Sequence, residues 1–176
     1  MSGHNKWSKI KHKKGAEDAK RSNIFSKLSK QIISESKKTN GDLTSPSLIA
    51  AIDAAKKENM PKDTIERAIK KGTEKDTIAL EPVTYEAYGP GGTALIIEGL
   101  TDNKNRSAAE VRHILSKKGI ELAAQGAASW AFTKEGNSWI PNTTIQIDEN
   151  DGEKLGGIID ELEELEDVQG VFTNAE

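Results

Sequence analysis

Val83-Thr84-Tyr85-Glu86-Ala87-Tyr88-Gly89-Pro90-Gly91-Gly92-Thr93-Ala94-Leu95-Ile96-Ile97-Glu98-Gly99-Leu100 is the stretch on which the fold turns. β-Branched, aromatic and aliphatic residues fill its two ends, and four turn-forming residues lie between them. That composition predicts two strands, Val83–Tyr88 and Thr93–Leu100, joined by a tight turn. Gly89-Pro90-Gly91-Gly92 also invites a phosphate-loop reading. It lacks the Gly-x-x-x-x-Gly-Lys-Ser/Thr spacing, and a strand follows where a helix would be needed. A hairpin turn that requires positive φ accounts for it.

Downstream, the strand pattern alternates with helical pattern. Asn105–Lys118 reads as a helix with Ala109, Val111, Ile114 and Leu115 inside and Gly119 past its end. Ala128–Thr133 reads as a strand, with short candidates at Ser138–Ile140 and Thr143–Ile147 around Pro141. Asp151–Leu165 reads as an acidic helix with Leu155, Ile158, Ile159, Leu162 and Leu165 facing a core. Val168–Thr173 closes as a strand. Two helices on one face of a mostly antiparallel sheet suit this order, and a ferredoxin-like α/β domain is expected.

Upstream, the pattern is helical throughout. Ala16–Lys38 contains neither Gly nor Pro, and Ile24, Phe25, Leu28 and Ile32 form one stripe. Asn40-Gly41-Asp42 signals a turn. Ser45 reads as an N-cap with Pro46 at the first helical position. Leu48, Ile49, Ile52 and Ala55 give that helix an apolar face, ending near Asn59. Pro61 opens a third helix, with Ile65, Ala68 and Ile69 buried and Gly72 after its end. The expected fold is α+β: an N-terminal three-helix bundle over 1–78, a weakly patterned linker at Thr73–Leu80, and the α/β domain over 79–176.

Charge divides along the same line. Residues 1–75 hold 18 Lys+Arg and 9 Asp+Glu, a net of +9, while residues 76–176 hold 7 and 19, a net of −12. Met1–Lys14 alone carries five lysines, His4, His12 and Trp7 with no acid. Clustered lysines repel one another and gain most opposite phosphates, where counterion release drives binding. Trp7 has two uses open to it, stacking on a base or packing on the helices. The eight-residue spacing of His4 and His12, with no matching carboxylate or cysteine, is not a metal signature. The chain has no cysteine, which excludes disulfides and thiolate chemistry. Neither an eighteen-residue apolar run nor a secretory h-region is present, so a cytoplasmic protein without membrane segments is expected. No catalytic constellation, cofactor fingerprint or metal set emerges, and no enzyme, cofactor or small-molecule substrate is expected.

Thr101-Asp102-Asn103-Lys104-Asn105-Arg106 leads from a strand end into a helix. Its N-terminus, with Lys104, Arg106 and Arg112, can serve as a secondary anion site, as a capping turn, or as both. Asp160–Asp167 reads as a solvated acidic helix face. His113 reads as a surface residue.

Five stretches carry a family resemblance: Ser2-Gly3-His4-Asn5-Lys6-Trp7-Ser8-Lys9-Ile10-Lys11-His12-Lys13-Lys14, Asp18-Ala19-Lys20-Arg21, Asn59-Met60-Pro61-Lys62-Asp63-Thr64-Ile65-Glu66-Arg67-Ala68-Ile69, Tyr85–Gly92 and Asp102–Arg106. Through them the chain resembles the YebC/PmpR family, which includes a mitochondrial translational activator of cytochrome c oxidase subunit I. The resemblance begins at Met1, and no presequence is expected. It implies a helical N-terminal domain followed by α/β domains. It also implies a regulator of gene expression that binds DNA, or alternatively an RNA- or ribosome-binding translation factor assisting difficult, proline-rich sequences. Under either reading the partner is nucleic acid, DNA or ribosomal RNA and tRNA, and a monomer is favoured. The residues matching the family's basic element are His4, Lys6, Trp7, Lys9, Lys11, His12, Lys13, Lys14, Lys20 and Arg21. Lys27 and Lys30 extend it along the first helix. Typical members carry a further α/β domain inserted within the second. Here Phe132–Gly136 passes almost directly to Trp139-Ile140-Pro141, so that insertion is expected to be missing near 136–139.

Overall fold

The computed structural model describes residues 17–176, which divide into two compact units, 17–81 and 82–176. The first is helical: α1 (Glu17–Thr39), α2 (Pro46–Lys57) and α3 (Lys62–Thr73). Both α2 and α3 pack on α1. Their common core is Ile32, Leu48, Ala51, Ala55, Met60, Ile65 and Ala68, with Phe25, Leu28, Ile52 and Ile69 half-buried around it. Each fully buried aliphatic side chain of this kind contributes about 1.5–3 kcal/mol.

The helix ends show how short connections hold this unit together. Asn40 and Asn59 take positive φ (51° and 59°) just past α1 and α2. The Met60 N–H then bonds the Ala55 carbonyl at 3.0 Å and drops Met60 into the core. Two sequence expectations need correction, those for Gly72 and Ile49, while Ser45 and Pro46 take the N-cap and first helical positions as expected. Gly72 lies inside α3, because α3 crosses α1 at that point. A Cβ there would stand 2.5 Å from Ser36 Cβ and 2.7 Å from the Ile33 carbonyl oxygen. Ser45 occupies the N-cap position without a side-chain capping bond. Ile49 is 42% exposed, on the side of α2 turned away from α1's core stripe.

The second unit is built on β1 (Glu81–Tyr88), β2 (Ala94–Thr101), β3 (Leu122–Ala123) and β6 (Val168–Thr173), in the sheet order β3-β1-β2-β6. β1 and β2 form the expected hairpin through Gly89–Gly92, where Gly91 and Gly92 have φ of 69° and 75°. So short a link permits only antiparallel neighbours. β3 pairs antiparallel to β1, and β6 antiparallel to β2. α4 (Lys104–Lys117) connects β2 to β3, which run parallel with β1 between them, a split β-α-β unit. α5 (Glu149–Glu163) precedes β6. The α+β class and the helices layered on an antiparallel sheet are as the sequence predicts.

Strand alternation sends side chains to two cores. Leu95, Ile97, Ala87, Val168 and Val171 meet Val111, Ile114 and Leu115 of α4 and Leu155, Ile158, Ile159 and Leu162 of α5. Ala94, Ile96 and Phe172 face the other way and meet Ala128, Ala131, Phe132 and Trp139. That second layer is a hairpin, β4 (Phe132–Glu135) and β5 (Ser138–Pro141), closed by the two-residue turn Gly136-Asn137 with Gly136 at φ 59°. β2 is therefore covered on both faces, which is why it reads as a continuous apolar run.

Ala128–Thr133 is not one strand: Ser129–Ala131 is a 3₁₀ turn, and pairing begins at Phe132. Thr143–Ile147 makes only an isolated parallel bridge, Ile145 to Ala175. β3 is a strand of two residues, too short to leave a sequence pattern. Ala109, expected inside, is exposed on α4. No helix among the described residues is long and apolar enough to cross a membrane.

Candidate nucleic-acid interface

His4, Lys6, Trp7, Lys9, Lys11, His12, Lys13 and Lys14 lie outside the described residues. The described part of the basic element is on α1. Lys20 and Arg21 are exposed, whereas Lys27 and Lys30 are half-buried with partners of their own. At 100° per residue, Lys20, Lys27 and Lys30 fall within an arc of about 80°. They form a lysine stripe beside the apolar one. Arg21 lies elsewhere: its guanidinium carbon stands 5.4 Å from the Phe25 ring centroid, one turn on.

Sequence reasoning passed over the cations of α2 and α3. Lys56, Lys57, Lys70 and Lys71 are exposed in the last turns of these helices, where they also complement the helix dipoles. α3 spends other cations on its own acids: Lys62 pairs with Glu66 at 3.6 Å and Arg67 with Asp63 at 3.8 Å. Only the composition of the last turns could have flagged the former group.

The start of α4 is a structural network. Asn103 caps the helix, its Oδ1 accepting the Arg106 N–H at 3.1 Å. The Arg106 side chain reaches Asp167 at 2.9 Å and Asp102 at 2.7 Å. The hydrogen bond with Asp167, then that with Asp102, holds the guanidinium pKa well above its usual range. Asp167 is buried and also accepts the Thr101 hydroxyl at 2.8 Å. So the acidic run is not wholly solvated, since its last member is buried in this network. Glu161, in the same run, bonds Lys118 at 2.7 Å and lies 3.7 Å from Lys117. The hydrogen bond from Lys118, opposed by partial burial, leaves that carboxyl below its usual pKa. Lys104 and Arg112 are both exposed but stand about 12 Å apart along the helix. The structure therefore does not gather Lys104, Arg106 and Arg112 round one point. His113 is exposed, as expected.

A second feature escaped the sequence reading. Glu86 projects from β1 onto the hairpin face, buried, and accepts the N–H groups of Gly126 (2.8 Å), Ala128 (2.7 Å) and Ser129 (2.9 Å). Burial raises its pKa, but these backbone bonds, with that of the Ser129 hydroxyl, outweigh it and the net shift is downward. The segment so held presents Trp130. Its indole N–H donates to the Tyr88 hydroxyl at 2.9 Å, and that hydroxyl donates to the Ala127 carbonyl. Farther along the same face, Glu98 accepts Trp139 Nε1 at 2.6 Å and Lys134 Nζ at 3.2 Å, fastening the β4–β5 hairpin to β2.

A helical unit bearing a lysine stripe, followed in the chain by an α+β unit with an acidic helix, defines a two-unit protein whose excess of cations belongs to the helical part of its sequence. Residues 5–75 match the sequence profile of the TACO1/YebC protein N-terminal domain. Residues 80–138 and 134–175 match, in two stretches, that of the TACO1/YebC second and third domain. The chain belongs to the TACO1/YebC family. A "probable transcriptional regulatory protein" of Desulfatibacillum aliphaticivorans is 59% identical over 138 residues, covering 77% of this chain and 56% of that protein. The match thus spans little more than half the length of that relative. A protein of the same name from Fervidobacterium nodosum is 40% identical over 235 aligned positions, 99% of this chain and 93% of the relative. With 235 positions against 176 residues, the alignment is at least 59 positions longer than the chain. The crystal structure of a conserved hypothetical protein from Aquifex aeolicus superposes with a TM-score of 0.81 at 33% identity, covering 95% of each chain.

Proposed function

We propose that this protein is a non-catalytic, nucleic-acid-binding regulator of gene expression. Its basic N-terminal segment and the α1 stripe are the phosphate-binding element, and Lys56, Lys57, Lys70 and Lys71 add to the same helical unit. The observation that carries the reading is the acid-free run Met1–Lys14, continued by Lys20, Lys27 and Lys30 on α1. Such a run has no stabilising use without a polyanion opposite it. The name shared by the relatives favours DNA and transcription. A second reading, an RNA- or ribosome-binding translation factor, is favoured by α3. That helix follows a short turn, as a DNA-reading helix does, but Lys62 and Arg67 are paired with its own acids. An irregular RNA suits a basic segment with a tryptophan better than a regular groove does. We propose further that the family's inserted domain is missing here, near 136–139; the two matched stretches, which overlap at 134–138, support that reading.

The test is the triple variant Lys11→Glu, Lys13→Glu, Lys14→Glu in the full chain. Polyanion binding is expected to vanish while the circular dichroism spectrum stays the same. An affinity and salt slope equal to wild type would overturn the assignment. Crosslinking in cells then separates the two readings: promoter DNA supports transcription, ribosomal RNA supports translation.

A further inference from the structure

We infer that Trp130 and Tyr88 form a stacking platform for an unpaired base of single-stranded nucleic acid. The inference rests on the nucleic-acid reading above and adds to it a second contact, in the other unit. Trp130 is 64% exposed and Tyr88 40%, both large aromatics on the face of the sheet opposite α4 and α5. An exposed indole usually keeps its N–H for water. Here the N–H is spent on the Tyr88 hydroxyl, and that hydroxyl on the Ala127 carbonyl. What is left to a ligand is ring surface, the part of a tryptophan that stacks on any base. The platform is also fixed in advance. Glu86 holds the backbone of Gly126, Ala128 and Ser129 immediately before Trp130, so the ordering cost is met on folding.

Charge identifies the kind of ligand. Of the seventeen Asp and Glu residues in 82–176, ten lie in 148–167, on and around α5. The segment 126–142, which covers the other face, contains one lysine and one glutamate, Lys134 and Glu135. The two glutamates that the sheet sends toward this layer are held within the protein: Glu86 accepts three backbone N–H groups, and Glu98 accepts Trp139 Nε1 and pairs with Lys134. A sugar-phosphate backbone would meet no acid wall here, as it would on the α5 face. Nor would it find the cations that duplex binding needs. A base stacked on aromatic rings, its phosphates left to water, is the ligand that fits this cation-poor aromatic surface.

The experiment measures binding of the full chain to a single-stranded oligothymidylate and to a duplex of equal length, by fluorescence anisotropy at several salt concentrations. Trp130→Ala is expected to weaken single-strand binding roughly tenfold. Duplex affinity and the slope against log salt should not change, because no phosphate contact is lost. Trp130→Phe keeps a ring and should recover most of the affinity, which separates stacking from damage to the fold. Equal single-strand affinity in Trp130→Ala overturns the platform, as does an equal loss on both probes. So does a change in sedimentation showing that Trp130→Ala breaks self-association. A wild-type chain that binds neither probe sinks the nucleic-acid reading itself. Binding to both that is indifferent to Trp130 sinks the platform alone.

Discussion

Glu86 shows how much one residue can decide. A buried carboxylate facing three backbone N–H groups is a folded-state arrangement that the unfolded chain cannot offer its side chain. Its folded pKa lies below the ordinary glutamate value, so its stabilisation is complete above that value and is lost as pH falls through the folded one. Glu86→Gln keeps the shape but brings an NH₂ group against those donors. It should cost about 1–3 kcal/mol at neutral pH. The gap to wild type should close in acid, as urea midpoints measured at falling pH will show. The residue also explains an element that sequence reading misplaced. Ala128–Thr133 has strand composition, yet Glu86, some forty residues away, draws 126–129 into a turn. No local pattern records such a pull. Trp130, read as strand, therefore gave no sign of its exposure.

At the level of elements, legibility followed periodicity. The three helices and the β1–β2 hairpin were readable because their apolar spacing and their Gly, Pro and Asn punctuation are local signals. Gly72 was misread for the same reason. A glycine near a helix end looks like a stop, and only the α1–α3 crossing shows that it is there for closeness. Gly72→Ala gains helix propensity of about 0.8–1 kcal/mol. It also drives a methyl against Ser36 and the Ile33 carbonyl, an overpacking cost of about 1–3 kcal/mol. A net loss is expected, read as a lower midpoint for the helical signal in circular dichroism. The hydrogen bond from the Ser36 hydroxyl to the Ile69 carbonyl, at 2.6 Å, should be strained along with it. The start of α4 was half legible: a capping turn was foreseen, with Asp102, Asn103 and Asn105 all open as its cap, but the two carboxylates claiming Arg106 include one sixty-one positions away.

In the whole molecule, each unit has an apolar core of its own. The chain between them is tied back to the helical unit as far as Thr77, whose carbonyl accepts the Lys37 ammonium at 2.6 Å. Beyond it Ile78 is 65% exposed. Thermolysin, which cuts before exposed apolar residues, should nick first within 78–80. The C-terminal product should keep its mixed α and β spectrum, checked by mass spectrometry and circular dichroism. Fragmentation inside either core would argue against two self-sufficient units. The charge division was plain in the sequence because it is compositional. The aromatic surface was not, because it is assembled from β1 and from a turn forty residues later.

The Gly136-Asn137 turn bears on how the α+β unit comes together. It makes Phe132–Pro141 and Trp139–Lys134 neighbours along the chain as well as in space. Loop-closure entropy grows with the logarithm of loop length, so a connection of some sixty residues would cost about 3 kcal/mol more to close than this one of two. The hairpin that covers the second face of β2 is thus among the cheapest contacts in the unit, able to form before the distant β2–β6 pairing and to wait for it.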